Sequence, residues 1–154
     1  MTMTLVAPQG RPEPSAGVRF AGYAALFRRA DAGGDVILPG AFRRSLAARR
    51  AAGEPLPLFW QHRPEQQIGW VERCEEDERG LRVIARLAAP EGARAALLRE
   101  REVSGLSFGY RAKAYRPIAL AGGRQGRELA DVEIFEISLV TVPMQPAARV
   151  HLVM

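Results

Sequence analysis

Residues 129–142 form a strongly apolar run rich in β-branched side chains, and Pro143 and Pro146 end it. Such a run reads as a buried strand. Its backbone donors and acceptors need partner strands, and the rest of the chain offers several. Residues 18–27, 68–75, 81–87, 104–115 and 147–153 read as strands, as does a short segment that follows Pro55 and Pro57 and ends at His62. Residues 41–52, rich in alanine and arginine and stopped by Gly53, read as a helix. Residues 90–101 read as a second, opened by Pro90, with Ala93, Leu97 and Ala96 turned to the core. Strands outnumber helices by about three to one without regular alternation, which argues against a doubly wound parallel sheet. The expected fold is α+β and mainly antiparallel: a closed or partly open β-barrel with two or three covering helices.

The connections are also legible. Residues 76–80 make a tight charged turn in which Gly80 is expected to supply a left-handed residue. Residues 119–126 hold Gly122, Gly123 and Gly126 and read as a mobile loop. Residues 1–17, with Pro8, Pro12 and Pro14, read as a loose arm or an edge strand, which leaves 18–154 as one domain.

A chain of 154 residues with 47% hydrophobic content can bury a real core. It has no apolar run near the roughly 20 residues that span a bilayer, so no membrane partner is expected. Residues 1–17 lack the charged-then-apolar layout of a secretory signal. The single Cys74 cannot make an internal disulfide, which fits a reducing compartment. One thiol and two histidines leave little for an all-protein metal site, so neither metal nor cofactor is expected. The net charge of +5 is nearly all arginine and suits contact with a polyanion, an acidic protein or simply water. In the first helix Phe42, Ser45 and Leu46 share a face, and Arg43, Arg44, Arg49 and Arg50 lie mostly elsewhere, as an anionic partner or a solvated surface would require. Zinc-finger spacing, a helix-turn-helix signature and aromatic stacking motifs are absent, so specific nucleic-acid binding is not expected.

The chemistry centres on the segment Gly105-Leu106-Ser107-Phe108-Gly109-Tyr110. Its two glycines leave the Ser107 hydroxyl uncrowded, and glycine in a strand marks a bulge or the close approach of another backbone, such as a bound peptide. A hydroxyl needs a base to become a nucleophile. His62 is the mid-domain histidine; His151 lies three residues from the end. From the residues alone two quieter readings stay open. Ser107 can be a small residue packed between strands, and His62 a strand-end histidine bonded to backbone. The serine motif runs into a strand rather than a helix, so the strand–helix elbow of α/β-hydrolases is not implied.

Four blocks occur in order: Gly34-Asp35-Val36-Ile37-Leu38-Pro39-Gly40-Ala41-Phe42, Leu58-Phe59-Trp60-Gln61-His62, the Ser107 segment, and Glu136-Ile137-Ser138-Leu139-Val140-Thr141-Val142-Pro143. Together they resemble the prohead (capsid maturation) protease family of tailed phages, the HK97 type, over about residues 18–150. The resemblance implies a serine endopeptidase with an assemblin-like fold, a β-barrel surrounded by helices. It implies Ser107 as nucleophile and His62 as general base and acid. It further implies residence in the host cytoplasm inside the immature capsid, with the major capsid protein, the scaffold and the enzyme itself as substrates. A homo-oligomer is expected, a dimer among the options, since assemblin-like relatives are often dimeric. Prophages and gene transfer agents carry similar proteins. The segment Pro143-Met144-Gln145-Pro146 departs from the family, where asparagine is more usual before the second proline. An inactive assembly protein of the same fold is the alternative.

The third catalytic member is expected to be Glu136, which opens the last block. Strict alternation places Val132, Ile134, Glu136 and Ser138 on one face of the strand and Asp131, Glu133, Phe135 and Ile137 on the other. An acid inside so apolar a run is costly to bury without a partner, and Asp131 and Glu133 stand behind it. Ser104 and Ser138 are alternative nucleophiles, and backbone N–H groups are the expected oxyanion donors. Asp35 reads as a loop carboxylate satisfying backbone donors.

Overall fold

The structure is a computed structural model that describes residues 17–88 and 92–154. The expected arm, but for Gly17, and the Pro90 start of the second helix lie outside the described residues. The elements in order are β1 (Arg19–Leu26), β2 (Asp35–Ile37), α1 (Arg43–Ala52), β3 (Pro57–Trp60), β4 (Arg63–Glu76), β5 (Gly80–Leu87), α2 (Gly92–Arg99), β6 (Gly105–Ala119), a 3-10 turn (Ala121–Gly123), β7 (Gln125–Val140) and β8 (Val150–Val153). The predicted strands are all present; β4, β6 and β7 run longer than predicted, and β2 was not foreseen.

The strands form one eight-stranded sheet ordered β2-β7-β3-β4-β5-β1-β8, with β6 on the other edge of β7. The centre is β7. It pairs antiparallel with β6 from Gly105↔Val140 to Ala119↔Gln125. Its opposite edge is shared by β2, beside residues 127–129, and β3, beside 137–139, both parallel. The expectation of a mainly antiparallel sheet therefore holds with two parallel pairings added. These are crossover pairings, whose partners lie far apart in sequence and leave no local signal.

Of the closed or partly open barrel expected, the closed form is not present. The sheet ends in β6 and β8, which meet at an isolated bridge, Gly105↔Arg149. Two backbone bonds flank it, from Leu106 N–H to the Ala148 carbonyl (2.9 Å) and from Val150 N–H to the Ser104 carbonyl (2.8 Å). β8 has four residues, and its pairing with β6 stops at this bridge.

The core lies on one face of the sheet. Leu106, Phe108, Val132, Ile134, Ile137 and Leu139 from β6 and β7 join Leu58, Ile68, Leu81 and Val83 there. Helix α1 adds Leu46, and Phe42 just before it packs edge-on against Phe108. The start of α1 is held by Glu76, whose carboxylate accepts from Gly40 N–H (2.6 Å) and Phe42 N–H (2.8 Å). Gly53 stops the helix as predicted, with φ 66° and its N–H directed at the Arg49 and Arg50 carbonyls. Part of the arginine face bonds to β7: Arg49 Nε donates to the Ile134 carbonyl (3.1 Å), and Arg44, still exposed, pairs with Asp131. In α2 the buried residues are Ala95 and Leu98, not Ala93 and Ala96; Leu97 packs partly against the core.

Gly80 does not take the left-handed conformation expected of it. Asp77 closes the turn instead, accepting from Arg79 N–H (2.8 Å) and Gly80 N–H (3.1 Å). Gly80 is required for another reason, since a Cβ there would stand 1.9 Å from the Ala25 carbonyl oxygen.

Candidate active site

The order of β7 changes at Phe135. Gly109 faces Glu136, but the next pair is Tyr110↔Ile134, so Phe135 is an extra residue in the ladder. A bulge reverses the phase of the side chains beyond it. Val132 and Ile134 thus point to the core together with Ile137 and Leu139, while Glu136 and Ser138 turn to the opposite face. The strict alternation expected from the sequence is corrected here, and the bulge is what frees Glu136 from the core.

Directly opposite residues of an antiparallel pair share a face. Ser107 stands opposite Ser138 and Gly109 opposite Glu136, so these four make one patch. Ser107 is 4% exposed, Glu136 6% and Ser138 0%. The carboxylate of Glu136 lies across the position where Gly109 has no side chain; a Cβ there would be 2.6 Å from Oε1. The second glycine of the serine motif therefore makes room for an acid, and the ladder bulges beside it, one of the two readings expected of a glycine in this strand.

His62 reaches this patch from the turn between β3 and β4. It is not on the strand: β3 ends at Trp60, and Gln61 and His62 both adopt left-handed conformations, φ 54° and 59°. Such backbone costs on the order of 1–3 kcal/mol for a residue other than glycine and persists where its surroundings enforce it. Gln61 N–H donates to the Leu139 carbonyl (2.9 Å), and His62 N–H donates to Ser138 Oγ (3.1 Å). The Gln61 side chain bonds Thr141 through both Nε2 and Oε1, each at 3.3 Å.

The imidazole is thereby set over Glu136. His62 Nδ1–H donates to Oε1 at 2.5 Å, and Ser138 Oγ–H donates to Oε2 at 2.6 Å. Each carboxylate oxygen has a donor, which meets the cost of burying the charge. With Nδ1 committed as donor, neutral His62 carries its lone pair on Nε2. The ring is 41% exposed. Its partner Glu136 stands on the face that Ser107 shares, and among the described residues no hydrogen bond joins Ser107 to His62. An acid, an imidazole and a hydroxyl in this order can move a proton from the hydroxyl to Nε2 while the acid holds the tautomer.

The other candidates are engaged elsewhere. Asp131 pairs with Arg44 and Glu133 with Arg111 (3.2 Å). Ser104 Oγ accepts from Arg149 (3.1 Å). Ser138 is fully buried with its proton committed. His151 packs edge-on to Tyr23, and burial with Arg82, Arg101 and Arg79 nearby keeps it neutral below its ordinary value. Burial pushes the Cys74 thiol up to about 12, far from a reactive thiolate. Among the described residues no group of three or more His, Cys, Asp or Glu could hold a metal ion.

Asp35 departs from its expected part. It accepts a bidentate pair from Arg127 (both 2.8 Å) and a bond from the Tyr110 hydroxyl. Arg127 first, then Tyr110, hold its carboxyl below the usual range against the opposing effect of burial. The residue that satisfies backbone donors is Asp31, whose Oδ1 accepts from Gly33 N–H and Asp35 N–H at 2.9 Å. Gln145, at the departure from the family pattern, donates to the Leu26 and Arg29 carbonyls and accepts from Leu26 N–H, tying the last loop to β1. Two clefts of about 350 and 400 Å³ flank α1, and neither is lined by His62, Ser107 or Glu136.

The fold is assemblin-like. It matches KSHV protease, solved in complex with a hexapeptide phosphonate inhibitor, at TM-score 0.50 and 13% identity over 90% of this chain and 65% of that one. It matches varicella-zoster virus protease at TM-score 0.53 and 16% identity over 87% and 63%. The family model for the caudovirus prohead serine protease matches residues 9–154, and the chain belongs to that family. It is 30% identical over 135 residues to the prohead protease of Enterobacteria phage HK97, covering 85% of this chain and 58% of that protein. It is 30% identical over 105 residues to a capsid polyprotein of Pseudomonas phage PAJU2, covering 62% of this chain and 15% of that protein. The chain thus spans less than two thirds of each relative's length.

Proposed function

We propose that the protein is a serine endopeptidase in which Ser107 is the nucleophile, His62 the general base and acid, and Glu136 the residue that orients His62. The observation that carries this reading is the Glu136–His62 bond, which leaves Nε2 as the basic nitrogen, with Glu136 on the face that Ser107 shares. Ser107 Oγ attacks the scissile carbonyl and its proton passes to Nε2. Glu136 stabilises the imidazolium while the tetrahedral adduct forms, with backbone N–H groups as the oxyanion donors. His62 then protonates the leaving amine, and water enters by the same route to release the acyl group.

The family membership and the capsid polyprotein relative support a capsid-related substrate. In this reading the enzyme works as a homo-oligomer in the host cytoplasm, inside the immature capsid. It cuts the scaffold or the N-terminal arm of the capsid protein, and also itself.

Co-expression with the neighbouring capsid gene, followed by intact mass of both proteins, tests the proposal. Ser107→Ala and His62→Ala should each reduce cleavage by about 10⁴-fold or more, and the double variant should lose no more than either. A serine-directed phosphonate should label Ser107, and EDTA should leave turnover unchanged. Full processing by either variant, as an inactive assembly protein would give, overturns the reading.

A further inference from the structure

We propose that Ser138 is a positioning residue that sets the base and the acid with a single hydroxyl. The inference deepens the protease reading and rests on it. Ser138 is fully buried and stands directly opposite Ser107 across the β6–β7 ladder. Its Oγ accepts from the His62 backbone N–H at 3.1 Å and donates to Glu136 Oε2 at 2.6 Å.

A hydroxyl has one proton and two lone pairs. The hydroxyl donates its proton's hydrogen bond to Glu136, so a lone pair is left to accept from the His62 N–H. One atom thereby determines two placements: the main chain of the base and the rotation of the carboxylate. The first matters because the turn carrying His62 is left-handed at two successive residues other than glycine. Its anchors are the Leu139 carbonyl and the Ser138 hydroxyl on β7 and Thr141 just beyond it, and of these Ser138 alone holds the main chain of His62. The second matters because the carboxylate that gives Oε1 to Nδ1 is held through Oε2 by the Ser138 hydroxyl. Without the hydroxyl, Oε2 is a buried acceptor with no donor and the His62 N–H loses its acceptor. Both groups then gain by moving away from the present geometry. Ser138 also owes its place to the bulge at Phe135, which puts residues 136 and 138 on the side of Ser107.

The test uses the full chain and three substitutions. Ser138→Ala should keep its fold by circular dichroism and lower kcat by about 10²-fold with little change in KM, because the residue meets no substrate and acts through geometry. Ser138→Thr, which keeps the hydroxyl, should recover kcat to within about 10-fold of the parent. The second readout needs no turnover. The parent should show a low-field proton NMR signal for His62 Nδ1–H that vanishes in Glu136→Gln. That signal should move or broaden in Ser138→Ala and return in Ser138→Thr. If Ser138→Ala does not fold, Ser138→Cys, close in volume and weak as donor and acceptor, replaces it with the same expected losses. A folded Ala or Cys variant with parental kcat and an unmoved signal overturns the inference while leaving the protease reading intact. An inactive parent whose signal still depends on Ser138 overturns the protease reading and leaves the positioning standing.

Discussion

At the scale of the residue, the site depends on what is absent as much as on what is present. Gly109 has no Cβ, and the Glu136 carboxylate lies where one would be. Gly109→Ala should therefore fold, since its backbone is not left-handed, but push the acid off His62. A displacement of this kind is worth about 10²-fold in kcat/KM, to be read on one peptide substrate beside a melting curve; parental activity would refute the packing argument. Glu136→Gln tests the acid itself. Its amide can turn a donor toward Nδ1 and favour the wrong tautomer, a change that costs about 10⁴-fold in a Ser-His-Asp protease whose acid is buried. The expected loss here is smaller, on the order of 10² to 10³, because water reaches the half-open imidazole and shares in stabilising its charge. Unchanged turnover in this variant would remove Glu136 from the mechanism.

At the scale of the element, the short strand β2 and the turn before it hold two carboxylates with opposite tendencies. Asp35 is held below the ordinary aspartate value by Arg127 and Tyr110. Its contribution to stability is present above that ordinary value and is lost as the pH falls through its folded value. Asp31 is raised, first by burial and also by the charge of Asp35. Its charge therefore costs stability, fully above the folded value and not at all below the ordinary one. Asp31→Asn keeps the Oδ1 acceptor for Gly33 and Asp35 and removes the charge. Its melting temperature should rise by about 2–4 °C at pH 7, and the gain should vanish as the pH approaches about 4. Asp35→Asn should melt lower than the parent at pH 7, with the deficit shrinking on acidification. Melting curves of the three proteins across pH check both signs, and a gain for Asp35→Asn would refute the role of Arg127.

At the scale of the whole molecule, the two ends of the sheet meet around Gly22. A Cβ there would lie 2.4 Å from the Arg149 carbonyl oxygen, 2.8 Å from Leu106 Cδ1 and 2.8 Å from Val150 Cα, so β1, β6 and the segment leading into β8 converge on one hydrogen. Gly22→Ala should cost about 1–3 kcal/mol by overpacking. Gly92→Ala, with nothing within 4 Å, is the control and should be neutral or slightly stabilising. Denaturant midpoints of the two variants decide the matter; equal midpoints would mean that the sheet ends are not held together at this point.

Much of this architecture was legible in the chain. Hydrophobic period and punctuation by glycine and proline are local properties, and they located every strand but β2, the first helix with its Gly53 stop, and the segments that carry His62, Ser107 and Glu136. Its place at the start of the last block and the cost of burying it singled out Glu136 from its acidic neighbours, and its partner in the structure is His62. What tertiary structure decided is everything that depends on which distant segments meet. The bulge at Phe135 inverts the faces of β7, yet no residue type announces it. Asp35 found side chains rather than backbone because Arg127 arrives from 92 positions away. Ser138, read as a spare nucleophile, became the acceptor of an amide 76 positions distant. A local pattern reports how a segment is built; the partner of a buried polar group is set by the packing of the finished sheet, because only there is the group removed from water and obliged to bond.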